Sequence, residues 1–215
     1  MAAAAPSPRR LPRAERERQI LDVAHARFAR DGYANVTMDD VAAEVGVTKP
    51  LLYAYWGNKE RIYLACLERD AERLLQTVGD AVGSAPNPAD ATEVGLRSFF
   101  DFVSHERGAF RVLFDETLPS GGQIAQRVHE HREQIVALVA TTLLAELPAR
   151  TREKARVEVE ALSTAVLGAA EALARWWLRT GEQIPAADAA ELLIATVVPG
   201  LRARTASIEP GDKDQ

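Results

Sequence analysis

The sequence predicts an all-α fold of about nine helices, and three observations support this. Alanine is abundant while β-branched clusters are few, which favours helix over strand. Apolar residues recur at helical spacing through long segments. Gly, Pro and Asn separate those segments, and none shows the alternation of a strand. The 215 residues, 47% hydrophobic and 27% charged, are typical of a soluble globular protein, and we expect a cytoplasmic one without a membrane span.

The first predicted helix covers about residues 12–31. Ile20, Ala24 and Phe28 repeat on one of its faces, and Gly32 stands where a left-handed residue would end it. Residues 1–11 are rich in Ala, Pro and Arg and are predicted to be a disordered basic arm.

Two short helices are predicted next, over 38–45 and 49–55. Thr37 is expected to cap the first and Thr48 the second, and Gly46 lies in the turn between them. A pair of short helices that meet at a glycine-containing turn is the helix-turn-helix pattern. Simple αα-hairpins in all-α proteins share this pattern, so it does not by itself establish DNA binding.

The rest of the chain is predicted to form six further helices. Asn58 is expected to cap the fourth helix, and Pro199 to kink or end the ninth. Residues 12–60 would form a helix-turn-helix domain, residues 61–206 a helical body and residues 207–215 a flexible tail. The six helices are predicted at 59–82, 88–105, 109–115, 123–147, 149–180 and from 187 to 198 or 204.

Charge is distributed unevenly along the chain. The net charge is −5, yet residues 1–30 contain seven Arg against three acidic residues. A basic N-terminal part on an acidic body indicates a local contact with nucleic acid, although a solvated charged helix has the same composition.

The segment TMDDVAAEVGVTKPLLYAYWGNK, residues 37–59, resembles the TetR family of bacterial regulators. The similarity covers about residues 12–65, and beyond them it rests on helix number and length. Trp56 stands where the family more often has Phe, a change that keeps an aromatic residue. The matching positions are Thr37, Val41-Ala42, Gly46-Val47, Leu52-Tyr53, Trp56 and Lys59-Glu60.

The resemblance implies roles in DNA binding. Thr37 and Tyr53 would hydrogen-bond phosphates, and Lys59 would reach the DNA backbone from the start of the fourth helix. Phosphate contacts position a protein on DNA, whereas contacts with base edges specify the sequence. The residues that would face the major groove are Thr48, Lys49, Pro50, Leu51 and Tyr55.

The resemblance also implies an effector pocket between the middle helices of the body. Five of the six phenylalanines lie within about 16 residues, and we expect some of them to line it, although core packing explains each one equally well. The effector would be a lipophilic or aromatic small molecule rather than a nucleotide, since no phosphate-binding loop is present. The predicted walls are Phe99, Phe102, Phe110, Phe114 and Trp176, with His105 or Arg107 as a polar anchor.

A homodimer is predicted because the eighth helix is apolar on nearly all sides and the ninth adds a further apolar face. Pairing with a second copy across a two-fold axis would cover both, although the eighth could also be an ordinary core helix. The predicted interface consists of Leu162, Ala165, Ala169, Leu173, Leu193, Val197 and Leu201.

The sequence therefore predicts a repressor that binds palindromic double-stranded DNA as a homodimer and that a small molecule releases. An activator, or a helical ligand carrier or adaptor with a degenerate helix-turn-helix, is the alternative. An enzyme is not expected, and neither a cofactor nor a metal is predicted. The single cysteine excludes an intrachain disulfide, and His129 and His131, about 200° apart on a helix, cannot share a metal.

Overall fold

The computed structural model describes residues 12–208, and these contain nine helices and no strand, which confirms the all-α prediction. The predicted arm, 1–11, and residues 209–215 of the predicted tail lie outside the described part. The helices are α1 (Arg13–Asp31), α2 (Met38–Val45), α3 (Lys49–Trp56), α4 (Lys59–Gly83), α5 (Pro88–His105), α6 (Arg107–Leu113), α7 (Gly122–Glu146), α8 (Ala149–Arg179) and α9 (Ala186–Ile208).

Helices α1 to α3 form a small N-terminal unit whose local signals agree with the sequence. Thr37 and Asp40 form a reciprocal capping box at the start of α2: the Asp40 amide donates to the Thr37 hydroxyl at 3.2 Å, and the Thr37 amide donates to Asp40 at 2.9 Å. Gly46 ends α2 in the left-handed helical conformation, φ 75° and ψ 37°. Leu52 is fully buried on α3, which packs against α2 and α4.

Three local predictions were wrong. Thr48 precedes α3 in extended backbone, but its side chain makes no capping hydrogen bond. Gly32 has φ 76° but ψ 157°, so it is not a left-handed helical cap; a Cβ there would lie 2.9 Å from the Thr117 hydroxyl. The predicted end of α9 at Pro199 was wrong, because the helix continues to Ile208 and packs on α5 and α8 although proline cannot donate one of its hydrogen bonds. A kink at Pro199 stays a prediction.

The body is built from α4 to α9, with α5 at its centre. Helix α5 packs against α4, α7 and α9, and α8 packs against α7 and α9. None of the helices in residues 12–208 combines the length and the apolar character that a membrane span requires.

The N-terminal unit is attached to the body through α1 and the turn that follows it. Helix α1 packs on α4 and α6, and the His25 imidazole on α1 lies 2.7 Å from the buried Asp70 carboxylate on α4. The Tyr33 amide donates to the Asp115 carboxylate at 2.7 Å, and the Ala34 amide donates to the Thr117 hydroxyl at 3.2 Å. The turn before α2 is thus held by polar contacts from the loop that follows α6.

Candidate DNA-binding face and effector cavity

Helix α3 buries one side and leaves the other to solvent. Leu52 faces inward, whereas Leu51 is 39% exposed and Tyr53 is 42% exposed. Thr48, Lys49 and Pro50 are also exposed at the start of the helix. The exposed side chains of Lys49, Leu51 and Tyr53 form a surface that can contact base edges and phosphates. Five of the predicted DNA-contacting residues therefore share one accessible face.

Lys49 has an anionic partner in the free protein. Its ammonium lies 2.8 Å from the Asp39 carboxylate of α2, and that hydrogen bond raises the pKa of Lys49. Both side chains are more than half exposed, so the pair contributes little to stability and can exchange for a base or phosphate.

Three other residues that are predicted to contact DNA make contacts within the protein. The Lys59 ammonium donates to the Tyr33 carbonyl at 2.9 Å and lies 4.2 Å from the centre of the Tyr33 ring, and burial lowers its pKa. Tyr55 is half-buried, with the Arg13 guanidinium 5.4 Å from its ring centre. The exposed Thr37 hydroxyl donates to Asp40 at 2.7 Å. Lys59 thus has a structural contact that the sequence did not predict.

The body encloses an apolar cavity between α4, α5, α7 and α8. The volume of this cavity is about 60 Å³. Two threonines are the polar side chains on its wall, and both hydroxyls are engaged: Thr92 with Glu146 at 3.3 Å and Thr142 with the Leu138 carbonyl at 2.9 Å. A site without a free polar group favours an aliphatic or aromatic occupant. The wall includes Leu74, Val78, Leu96, Phe99, Val139 and Val166.

Only one of the seven predicted effector residues, Phe99, lies on this wall. Phe102 is buried in the core outside it, and Trp176 is 39% exposed on α8. His105 is exposed at the end of α5 and makes contacts only within its own helix, while the Arg107 guanidinium lies 2.6 Å from Glu182. Phe110 and Phe114 line a separate groove beside α1. The sequence predicted a mostly apolar pocket bounded by the fourth to eighth helices, but none of the predicted wall residues lies on α7, where Ile135, Leu138 and Val139 recur at apolar helical spacing.

Three phenylalanines form a continuous partition between the cavity and that groove. The ring centres of Phe99 and Phe110 are 6.3 Å apart at 69°, and those of Phe110 and Phe114 are 4.8 Å apart at 41°. Edge and tilted contacts of this kind are favourable for aromatic rings. The predicted phenylalanine cluster is therefore a shared wall rather than the lining of one pocket.

Two family models match the chain over both parts of this architecture. Bacterial regulatory proteins of the tetR family match residues 20–66, and the tetracyclin repressor-like C-terminal domain matches residues 88–200. This chain belongs to the TetR family. The TetR-family assignment confirms the resemblance, and the protein is a DNA-binding transcriptional regulator.

Named relatives agree with this assignment. The transcriptional activator FasR of Mycolicibacterium smegmatis is 28% identical over 182 residues, 85% of this chain and 81% of FasR. The crystal structure of a TetR-like regulator from Rhodococcus sp. RHA1 is 30% identical, covers 90% of this chain and 99% of its own, and has a TM-score of 0.72. FadR of Bacillus subtilis, solved in complex with stearoyl-CoA, has the same fold at 15% identity and a TM-score of 0.71, over 85% of this chain and 98% of its own.

The outward face of α8 and α9 differs in part from the interface predicted for this TetR-family regulator. Ala165 is exposed, and Leu162, Ala169, Leu173 and Val197 are half-buried. Leu193 and Leu201 instead point into the core of their own subunit, because α9 turns that edge toward α5 and α8. Among the described residues of these two helices, the large apolar side chains left outside are Val157, 81% exposed, Leu192, 55% exposed, and Trp176.

Proposed function

We propose that this regulator binds an inverted-repeat operator as a homodimer and that a lipophilic ligand in the α4–α5–α7–α8 cavity alters its DNA affinity. The observation that carries the proposal is the division of α3 into a buried side and an exposed side that holds Lys49, Leu51 and Tyr53. Two such faces related by a two-fold axis would enter successive major grooves, about 34–36 Å apart.

The cavity has two structural connections with the DNA-binding unit. Helix α4 contributes Leu74 and Val78 to the wall, and it starts at Lys59, which contacts Tyr33. Phe99 on the wall touches Phe110 of α6, and the loop after α6 holds the amides of Tyr33 and Ala34. A ligand that displaces α4 or Phe99 would therefore move the turn before α2. Coupling of about 1–3 kcal/mol would change DNA affinity roughly 5- to 150-fold.

The ligand proposed for the cavity is an aliphatic chain or an apolar aromatic compound. Apolar walls without a free donor or acceptor support this class, as does the stearoyl-CoA bound by the FadR structure with the same fold. The enclosed space is small, so an occupant of this kind must push wall side chains such as Phe99 aside. The ligand would then bind the conformation with displaced side chains more tightly than the other conformation, and control by a ligand requires such a difference in affinity.

Two directions of control are proposed: the protein is either a repressor that its ligand releases from DNA or an activator of transcription. The sequence favours a repressor, whereas similarity to the transcriptional activator FasR favours an activator. A reporter gene behind the bound promoter, measured with and without the regulator gene, separates them. Higher expression without the regulator indicates repression, and lower expression indicates activation.

Lys49→Ala and Tyr53→Phe are expected to weaken DNA binding in different ways. Lys49 should read base edges, so its loss should change operator preference by about 1–3 kcal/mol between sequence variants. Loss of the Tyr53 hydroxyl should weaken all sequences alike, because it contacts phosphate. Fluorescence anisotropy on a panel of single-base operator variants measures the operator affinity of both protein variants. Gln76→Ala, at an exposed position of α4, is the control. The same affinity profile for the two variants would refute the assignment.

Val139→Phe is expected to fill the cavity and abolish ligand binding without loss of operator binding. Its matched control is Val136→Phe, also on α7, which faces an outer groove beside α8 instead of the cavity. Fatty acids, acyl-CoAs and apolar aromatic compounds are screened by thermal shift, and the compound that binds wild type is titrated into both variants. Equal binding by wild type and Val139→Phe would place the effector elsewhere.

A further inference from the structure

A second recess lies at the junction between the N-terminal unit and the body. It is a groove of about 370 Å³, open to solvent on one side. The end of α1 forms one wall, α6 with its following loop forms the second, and the end of α8 forms the third. Its members include Arg30, Asp31, Gly32, Phe110, Arg111, Phe114, Asp115, Glu116, Arg175 and Arg179.

The charges in this groove are not balanced. Its three carboxylates all have partners in the described structure: Asp31 pairs with Arg27 and Arg30 at 2.9 and 3.1 Å, Asp115 accepts from the Tyr33 amide at 2.7 Å, and Glu116 pairs with Arg175 at 2.9 Å. Arg111 and Arg179 are exposed, and no acidic side chain within residues 12–208 lies within 4.0 Å of either. Arg111 and Arg179 thus have no ion-pair partner in the described structure, and the groove as a whole holds four arginines against three carboxylates.

The groove also has the shape and chemistry for an organic phosphate. Guanidinium groups present several donors in a planar fork that matches phosphate oxygens, and such charge-assisted hydrogen bonds are among the strongest in proteins. The half-buried Phe114 gives the same groove an aromatic side chain, and the buried Phe110 ring packs against it with the ring centres 4.8 Å apart. Positive donors beside an aromatic side chain favour a ligand that carries both an anion and an apolar or ring-shaped part.

We infer that this groove binds a phosphate group of a small ligand through Arg111 and Arg179. This site lies outside the apolar cavity of the proposed function, on the other side of the Phe99–Phe110–Phe114 partition. Both arginines belong to the body and α1 forms the facing wall, so a ligand that fills the groove would contact both parts. Binding of phosphate and of operator DNA would consequently be coupled, each changing the affinity of the other by the same factor.

Isothermal titration calorimetry at low ionic strength tests the site with two probes, inorganic pyrophosphate and coenzyme A. The variants are Arg111→Gln and Arg179→Gln. Arg150→Gln is the matched control, since Arg150 is exposed on α8 far along the chain from the groove residues and is not one of them. Each groove variant should weaken binding at least about tenfold, as expected for loss of one charge-assisted hydrogen bond, while the control should bind like wild type.

The two probes distinguish the sources of the phosphate. If the groove variants bind both probes more weakly than wild type does, the groove is assigned to a free or generic phosphate. If they bind only coenzyme A more weakly, the groove is assigned to the head group of a larger organic ligand. The inference is overturned if neither probe binds wild type, or if Arg111→Gln and Arg179→Gln bind like Arg150→Gln. It is also overturned if both variants lose operator affinity without any probe, because the arginines would then contact DNA phosphate. If Val139→Phe bound the apolar ligand like wild type, the apolar cavity would not be the effector site, and the interpretation of these phosphate titrations would not change.

Discussion

Ala165→Glu is expected to convert the proposed dimer into a monomer and to weaken operator binding roughly 10²- to 10⁴-fold. Ala165 is exposed on α8 in the middle of the face predicted to pair with a second copy. A two-fold axis brings the same face of both subunits together, so two glutamates would be desolvated close to each other. Without the dimer, each DNA-binding unit would engage its half-site alone and the gain from bivalent binding would be lost.

Sedimentation velocity at micromolar concentration measures the assembly, and fluorescence anisotropy measures DNA binding. Thr77→Glu adds the same charge at an exposed position of α4 and serves as the control. Leu192→Glu, on the exposed side of α9, tests the second helix of the face. A wild-type monomer, or an Ala165→Glu dimer with unchanged operator affinity, would contradict the proposed interface.

His25→Ala is expected to lower the free energy of unfolding by about 3–5 kcal/mol, which for a chain of this size corresponds to a fall in Tm of very roughly 6–20 °C. The Asp70 side chain is fully buried, and His25 is its hydrogen-bond partner at 2.7 Å. The Arg69 Nε atom is 3.9 Å from the second carboxylate oxygen, which is too far for a hydrogen bond. Removal of His25 therefore leaves a buried carboxylate without compensation.

Chemical denaturation at one fixed protein concentration measures this change, since dimerisation also contributes to apparent stability. Glu17→Ala is the matched control, because it removes the exposed Arg13–Glu17 pair from the same helix and should cost less than about 1 kcal/mol. The double variant His25→Ala/Asp70→Ala should lose less than the two single variants together. Strict additivity would show that the two side chains do not stabilise each other.

Local signals in the sequence predicted most of the helices. The caps at Thr37 and Asn58 and the glycine at position 46 act within a few residues, so α2 and α4 begin and end nearly as expected. Pro199 shows the limit of local rules, because tertiary contacts with α5 and α8 keep α9 intact through it. The missing hydrogen bond of one proline is a small loss against the burial of a long apolar helix.

The candidate sites were harder to predict than the helices. Apolar periodicity shows that a helix has an inner face, but it does not distinguish the core of one subunit from an interface, so Leu193 and Leu201 were placed on the wrong side. In the same way, proximity in sequence suggested one pocket for Phe99 and Phe110, yet Phe99 lines the cavity and Phe110 lines the groove, although their rings contact each other. Such relations depend on how helices pack, which a single sequence does not encode locally.

The hydrogen bonds from Tyr33 and Ala34 to the loop after α6 have a consequence for amide hydrogen exchange. Both protons are bonded to side chains of the body, not to carbonyls of their own unit. They can exchange with solvent when the turn leaves Asp115 and Thr117, even while α1 and α2 stay folded. Deuterium uptake at these two amides therefore reports how often the DNA-binding unit detaches from the body, separately from any unfolding of either part.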